Sequence, residues 1–90
     1  MTGNPKDKAH VITPLNQLRV GEGGWISTIH GPEDFRCRLM EMGVLEEDFV
    51  QMVHEAPFGG DPVAIRVRGS LLALRRQEAQ HISVRRVPRL

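Results

Sequence analysis

No apolar run in this chain exceeds the four residues Leu71 to Leu74, and nine glycines and six prolines cut the remainder into short pieces. A chain punctuated this often cannot supply a membrane span, which needs about 20 consecutive apolar residues. It can supply short strands joined by tight turns. The N-terminus has no hydrophobic centre of the secretion-signal kind, so a cytoplasmic location without direct membrane insertion is expected. At 90 residues and 40% hydrophobic content the chain makes one small domain, with little volume for an internal catalytic cavity.

One stretch, FRCRLMEMG at residues 35–43, does read as a helix. Pro32 suits its first turn, where a missing N–H costs nothing, and Glu33 and Asp34 put negative charge at the positive end of the helix dipole. At about 100° per residue, Phe35, Leu39 and Met42 fall within about 60° of one another and form one apolar stripe for packing. Gly43 then supplies a left-handed cap. Leu39 is expected in the core, and Cys37, roughly 160° away, outside it. Met40 and Cys37 are the apolar residues that the stripe leaves unexplained.

The rest alternates as strands do. Residues 1–11 mix Gly, Asn, Pro and Lys without periodicity and read as a frayed lead-in to a domain over 12–87, with 88–90 as a tail. In TPLNQLRVGEGG, Leu15, Leu18 and Val20 are apolar pegs, Pro14 can open a short helix, and Gly21, Gly23 and Gly24 permit sharp turns. WISTI is a strand ended by Gly31-Pro32. FVQMVH sets Val50 and Met52 against Phe49, Gln51 and Val53, and VAIRVRG turns Val63, Ile65 and Val67 inward. Gly69-Ser70 makes a tight hairpin to LLAL, with Leu72 and Leu74 inward. One helical turn under Ala79 leads to a last strand, ISVRRV, that uses Ile82 and Val84. Five short strands, a plugging helix and a one-turn insertion predict a mainly β protein, a small and strongly bent antiparallel barrel.

The formal charge of +1 hides a segregation, since Gly31 to Pro62 holds eight acids and two arginines whereas Val63 to Leu90 holds seven arginines and only Glu78 as an acid. Either these charges meet across the fold, or the arginines form a basic face for an acidic partner. Nucleic acid is not the expected partner, because Trp25, Phe35, Phe49 and Phe58 all lie upstream of those arginines and none is interleaved to stack bases. The single cysteine forbids an internal disulfide.

The pieces TPLNQLRVGEGG, FRCRLMEMGV, APFGGDPVAIRVRG and LALRRQEAQHISV, taken in order over residues 12–85, resemble the FeoA family, small cytoplasmic accessories of bacterial ferrous-iron uptake with an SH3-like barrel. The resemblance implies a membrane-embedded, GTPase-coupled transporter, FeoB, as partner. It also implies an alternative, because the same domain type ends metal-dependent repressors of the DtxR kind, where a winged helix precedes it; no such helix is expected here. Two places depart from the family's pattern. Glu46-Glu47 stand where a Pro-Gly turn is usual, and Gly59-Gly60 where one glycine before Asp61 is usual.

No nucleophile stands in a recognisable setting and no glycine loop opens onto a helix, so an enzyme is not expected. Cys37, His10, His30, His54 and His81 show no ligand spacing, so no metal site and no required cofactor are expected, beyond weak transition-metal binding at an exposed histidine such as His54 beside Glu55. What remains is a binding module. Phe58, bounded by Pro57 and Gly59 at a hairpin tip, is either an anchor for a partner or a lid folded over one barrel end. Pro57 beside it, and Arg36 and Met40 on the outer helix face, are further candidate contacts, and association of copies is left open.

Overall fold

The structure, a computed structural model, describes residues 11–87. The predicted lead-in and tail lie outside the described residues apart from Val11, whose carbonyl accepts a bond from the Arg86 amide. The chain forms strands β1 (Ile12–Pro14), β2 (Gly23–Ile29), β3 (Phe49–Glu55), β4 (Val63–Val67), β5 (Ser70–Leu74) and β6 (Ile82–Val87), with helices α1 (Glu33–Glu41) and α2 (Arg76–Ala79). A 3-10 turn over Leu15–Gln17 follows β1. All strand pairs are antiparallel, in the order β1-β6-β2-β3-β4-β5.

Alternation decides which way each strand faces. Val50 and Met52 of β3, Val63, Ile65 and Val67 of β4, Leu74 of β5, and Ile82 and Val84 of β6 are buried in one cluster, and Leu72 packs partly against it. Register shifts between Ile26 and Thr28 and between Met52 and His54 bend β2 and β3, so the sheet curls round this cluster. Gly24 lets β2 approach β6 closely, since a Cβ there would lie 2.1 Å from the Arg85 carbonyl oxygen. Across the outer face Trp25 meets Phe49 edge-on at 5.0 Å.

Helix α1 fills the curl with Phe35 and Leu39, both buried. Its end is a Schellman motif: the Val44 amide donates to the Leu39 carbonyl, the Gly43 amide to that of Met40, and Gly43 holds φ +83°. This corrects the predicted stripe. The left-handed turn swings Val44 into the core place and leaves Met42 exposed.

Four further expectations change. There are six described strands, not five, because β1 is three residues ending in proline and carries no readable alternation. Val20 is exposed at the tip of a turn that the Glu22 amide closes onto the Arg19 carbonyl. Gly23 and Gly24 lie within β2, and of the three glycines only Gly21 takes a positive φ. The hairpin turns on Arg68-Gly69, at φ +53° and +82°, and Ser70 is already opposite Val67 in the ladder. The last of these errors is a slip of one residue.

The segregated charges meet. Arg68 pairs with Asp48, Arg76 with Glu55 and Arg85 with Glu47, which joins the basic C-terminal half to the acidic middle.

Candidate partner-binding surface

Seven residues, 56–62, link β3 to β4. Their base is fixed from two sides. The Ala56 amide donates to the Pro62 carbonyl, and Arg76 at the start of α2 reaches across, its Nε donating to the Gly60 carbonyl at 2.7 Å and its main-chain N–H to Asp61 Oδ1 at 3.0 Å. Its guanidinium also pairs with Glu55 at 3.0 Å and donates to the Asn16 carbonyl. One arginine thus ties the loop to the 3-10 turn. The peptide bond between Asp61 and Pro62 is cis.

Above this base Phe58 is fully exposed, at 102% of its reference area, and holds φ +59°. The lid alternative fails. A phenylalanine in the left-handed region costs about 1–2 kcal/mol relative to glycine, and its ring gains no burial here in return. Pro57 is exposed beside it.

Arg36 and Met40 occupy a different place. With Ile29, Val44, Leu45 and Glu46 they line a cleft of about 430 Å³ between the outer face of α1 and the end of β2. Arg36 Nε donates to the Gly31 carbonyl at 3.2 Å, which holds its side chain along the cleft, while Met40 and Leu45 expose apolar surface at its mouth. Phe58 and Pro57 do not line it. The four residues therefore fall into two pairs on separate elements. Leu45 is the member that sequence reasoning missed, since the turn at Glu46-Glu47 that exposes it has no periodicity.

The described histidines and the cysteine lie in separate surroundings. His30 Nε2 lies 2.8 Å from the Thr28 hydroxyl, His81 packs against Phe35 at 5.8 Å, and Cys37 is exposed. His54 is exposed, but the Glu55 carboxylate beside it is held by Arg76. Among the described residues no three of His, Cys, Asp and Glu converge as metal ligands, and no helix is long and apolar enough to cross a membrane. Among the described residues, the carboxyls of Glu22 and Glu78 sit below the usual glutamate range. Glu22 accepts from the Arg19 amide and faces Arg86, and Glu78 accepts from the Arg38 guanidinium and the Arg75 amide.

The FeoA domain family matches residues 13–86. The chain belongs to that family. A curated relative in Porphyromonas gingivalis (strain ATCC BAA-308 / W83), an Fe(2+) transport protein A/Fe(2+) transporter FeoB fusion protein, is 34% identical over 70 residues. The matched stretch is 78% of this chain and 8% of that relative. Among solved structures, the FeoA protein of Chlorobium tepidum superposes with a TM-score of 0.78 at 29% identity, covering 84% of this chain and 71% of that one. Stenotrophomonas maltophilia FeoA complexed with zinc, described as a prokaryotic SH3 domain protein, gives 0.71 at 27% identity over 84% of this chain and 96% of that one. A manganese-dependent transcriptional repressor reaches 0.77 at 15% identity over 88% of this chain and 44% of its own, a likeness of fold alone.

Within this FeoA fold the departure at Glu46-Glu47 has a structural answer. Glu47 keeps a glycine-like φ of +75°. Its amide donates to the Ile26 carbonyl at 2.8 Å and its carboxylate pairs with Arg85 at 2.7 Å, so the strained residue is held from both ends.

Proposed function

We propose that this chain is a cytoplasmic, non-catalytic accessory module of ferrous-iron uptake that acts by binding a FeoB-type membrane transporter. The observation that carries this reading is the relative in which an iron transport protein A segment and the transporter are one polypeptide, since fusion places two chains at high effective concentration. Phe58 and Pro57 form the anchor, because an exposed aromatic on a strained backbone does nothing for the fold. Arg36 and Met40 form a second contact on the helix side. The repressor shares the fold at too low an identity to support a second reading.

The test is titration of the purified chain into the cytoplasmic region of a FeoB-type transporter by calorimetry. Phe58→Ala weakens binding by about 1–3 kcal/mol, as at an aromatic hot spot, and Met40→Ala by less. Undiminished affinity in Phe58→Ala overturns the anchor assignment.

Metal is cargo of the pathway in this proposal and not a resident of the module. Ferrous iron binds the purified chain no tighter than the high micromolar range, and chelation leaves its thermal midpoint unchanged. The motive is that among the described residues no three of His, Cys, Asp and Glu converge as metal ligands, and that the Glu55 carboxylate beside His54 is already committed to Arg76. Stoichiometric, tight iron binding that disappears in His54→Ala would contradict this.

A further inference from the structure

We propose that the outer edge of β5 is a strand-addition site, which takes an extended, acidic segment of a partner protein. This surface is distinct from Phe58 and from the Met40 cleft, and the proposal does not depend on which protein supplies the segment.

The two-residue turn at Arg68-Gly69 makes Val67 and Ser70 the first hydrogen-bonded pair of the β4–β5 hairpin. Alternation then directs the main-chain groups of Ser70, Leu72 and Leu74 toward β4, and those of Leu71 and Ala73 away from the sheet. Among the described residues no other main-chain or side-chain hydrogen bond reaches Leu71 or Ala73. Two N–H and two C=O groups are thus presented in a row. The other edge of the sheet offers no such row, since β1 has three residues and ends in Pro14. Edge strands are ordinarily blunted by a charge, a proline or a covering element. β5, SLLAL, has no charge and no proline.

Beside that edge runs an open slot of about 420 Å³, lined on one side by Leu71, Leu72 and Ala73 and on the other by Met42 at the end of α1 and by the paired Arg38 and Glu78. Residues from both faces of β5 line it, so it follows the edge. Its shape suits an extended chain, whose alternate side chains would cover exposed Leu71 on one face and Met42 on the other.

Charge selects the occupant. Arg68 and Arg75 stand at the two ends of β5, and Arg66 stands opposite Leu71 on β4. The nearby acids are already used, Asp48 by Arg68 and Glu78 by Arg38, whereas Arg66 and Arg75 make no ion pair among the described residues. The edge therefore lies in a positive field that favours an acidic segment. A second copy is disfavoured by the same charges. Antiparallel pairing of β5 with itself about Leu72 sets Arg75 of each copy opposite Gly69 of the other, beside Arg68.

The probe is a short capped peptide of alternating glutamate and valine, titrated into the full chain and followed by nitrogen-15 amide shifts and amide hydrogen exchange. The expected result is saturable binding with slowed exchange at the Leu71 and Ala73 amides. Replacing glutamate by lysine in the peptide weakens binding by about tenfold or more, and so does Ala73→Pro, which removes one outward N–H without touching the β4 ladder. Methylating alternate peptide amides abolishes binding to the unmodified chain, which keeps the test valid should Ala73→Pro fold poorly. Equal affinity for the lysine peptide, unchanged exchange at Leu71 and Ala73, or a dimer that pairs through β5 and excludes the peptide would each overturn the proposal.

Discussion

Phe35 and Phe58 are the same side chain in opposite circumstances, 6% and 102% exposed. Phe35 belongs to a helix whose position is over-determined. Leu39 and Val44 pack with it, the Schellman turn satisfies the last carbonyls, and the one left-handed residue required is a glycine. Phe58 belongs to a loop fixed only at its base, by polar bonds to Arg76 and the Ala56–Pro62 main-chain bond, and of its three positive-φ residues, 58 to 60, the first is the phenylalanine itself rather than a glycine. In the helix every local choice agrees with the fold. In the loop the tip residue contradicts it, and such contradictions gather where a surface serves something other than stability.

The largest effects belong to the helix. Leu39→Ala removes a fully buried side chain and is expected to cost about 2–5 kcal/mol in denaturant unfolding, with Phe35→Ala at about 3–5 kcal/mol. So small a domain has about 5–10 kcal/mol in all, so either variant is near unfolding at physiological temperature. Cys37→Ser, two positions away on the outer face, is expected to stay within about 0.5 kcal/mol, and the native thiol should react freely with a small alkylating reagent. A thiol protected until denaturation would break the contrast between the two helix faces.

Next comes the base of the loop. Arg76→Ala leaves the Gly60 and Asn16 carbonyls and the Glu55 carboxylate without their donor, at an expected cost of about 1–3 kcal/mol. The Arg76 main-chain bond to Asp61 survives, so amide exchange over 56–62 should accelerate while that of α1 is unchanged. Acceleration spread evenly over the barrel would mean that Arg76 closes the fold as a whole and not the loop in particular.

A smaller effect is set by pH. Glu78 is held below the usual glutamate range first by the Arg38 guanidinium and then by the Arg75 amide, and Glu22 by the Arg19 amide and by Arg86. A carboxyl with a depressed folded-state value stabilises the fold above its unfolded value, and that contribution disappears as pH falls through the folded value. Stability should therefore decline on acidification below the ordinary glutamate range, and Glu78→Gln should flatten part of that decline. Both pairs are partly exposed, so added salt should shrink the effect as well.

How much of this was legible in the sequence follows the same division. The helix, its glycine cap and the inward residues of β3, β4 and β6 were readable because periodicity and turn chemistry act within a few neighbouring residues. Met42 was misplaced because the stripe was extended past the point where Gly43 turns the chain. Strand β1 was invisible, as three residues ending in proline carry no period, and Gly23 and Gly24 were read as turns because nothing local reveals that β3 closes on the first and β6 on the second. The exposure of Phe58 could be argued from its loop. That Met40 and Phe58 occupy separate surfaces could not, and neither could the place of β5 at the sheet edge, since both depend on strand order.

The smallest stability effect is the sharpest test of the comparison. Phe58→Gly relieves left-handed strain of about 1–2 kcal/mol but adds backbone freedom to the unfolded chain, worth about 0.5–1 kcal/mol in the other direction. The two nearly cancel, so the variant should be as stable as the parent or slightly more so. Phe58→Ala keeps the strain and loses a ring that is fully exposed, so it should stay within about 0.5 kcal/mol. Glycine at 58 should thus match or exceed alanine in denaturant midpoint, while both lose affinity for the transporter's cytoplasmic region to a similar extent. At position 35 the order reverses, because there the side chain is what the fold needs. If Phe58→Gly were instead destabilised by as much as a core truncation, the ring would be supporting the barrel, and the division between a helix built for packing and a loop tip built for contact would collapse.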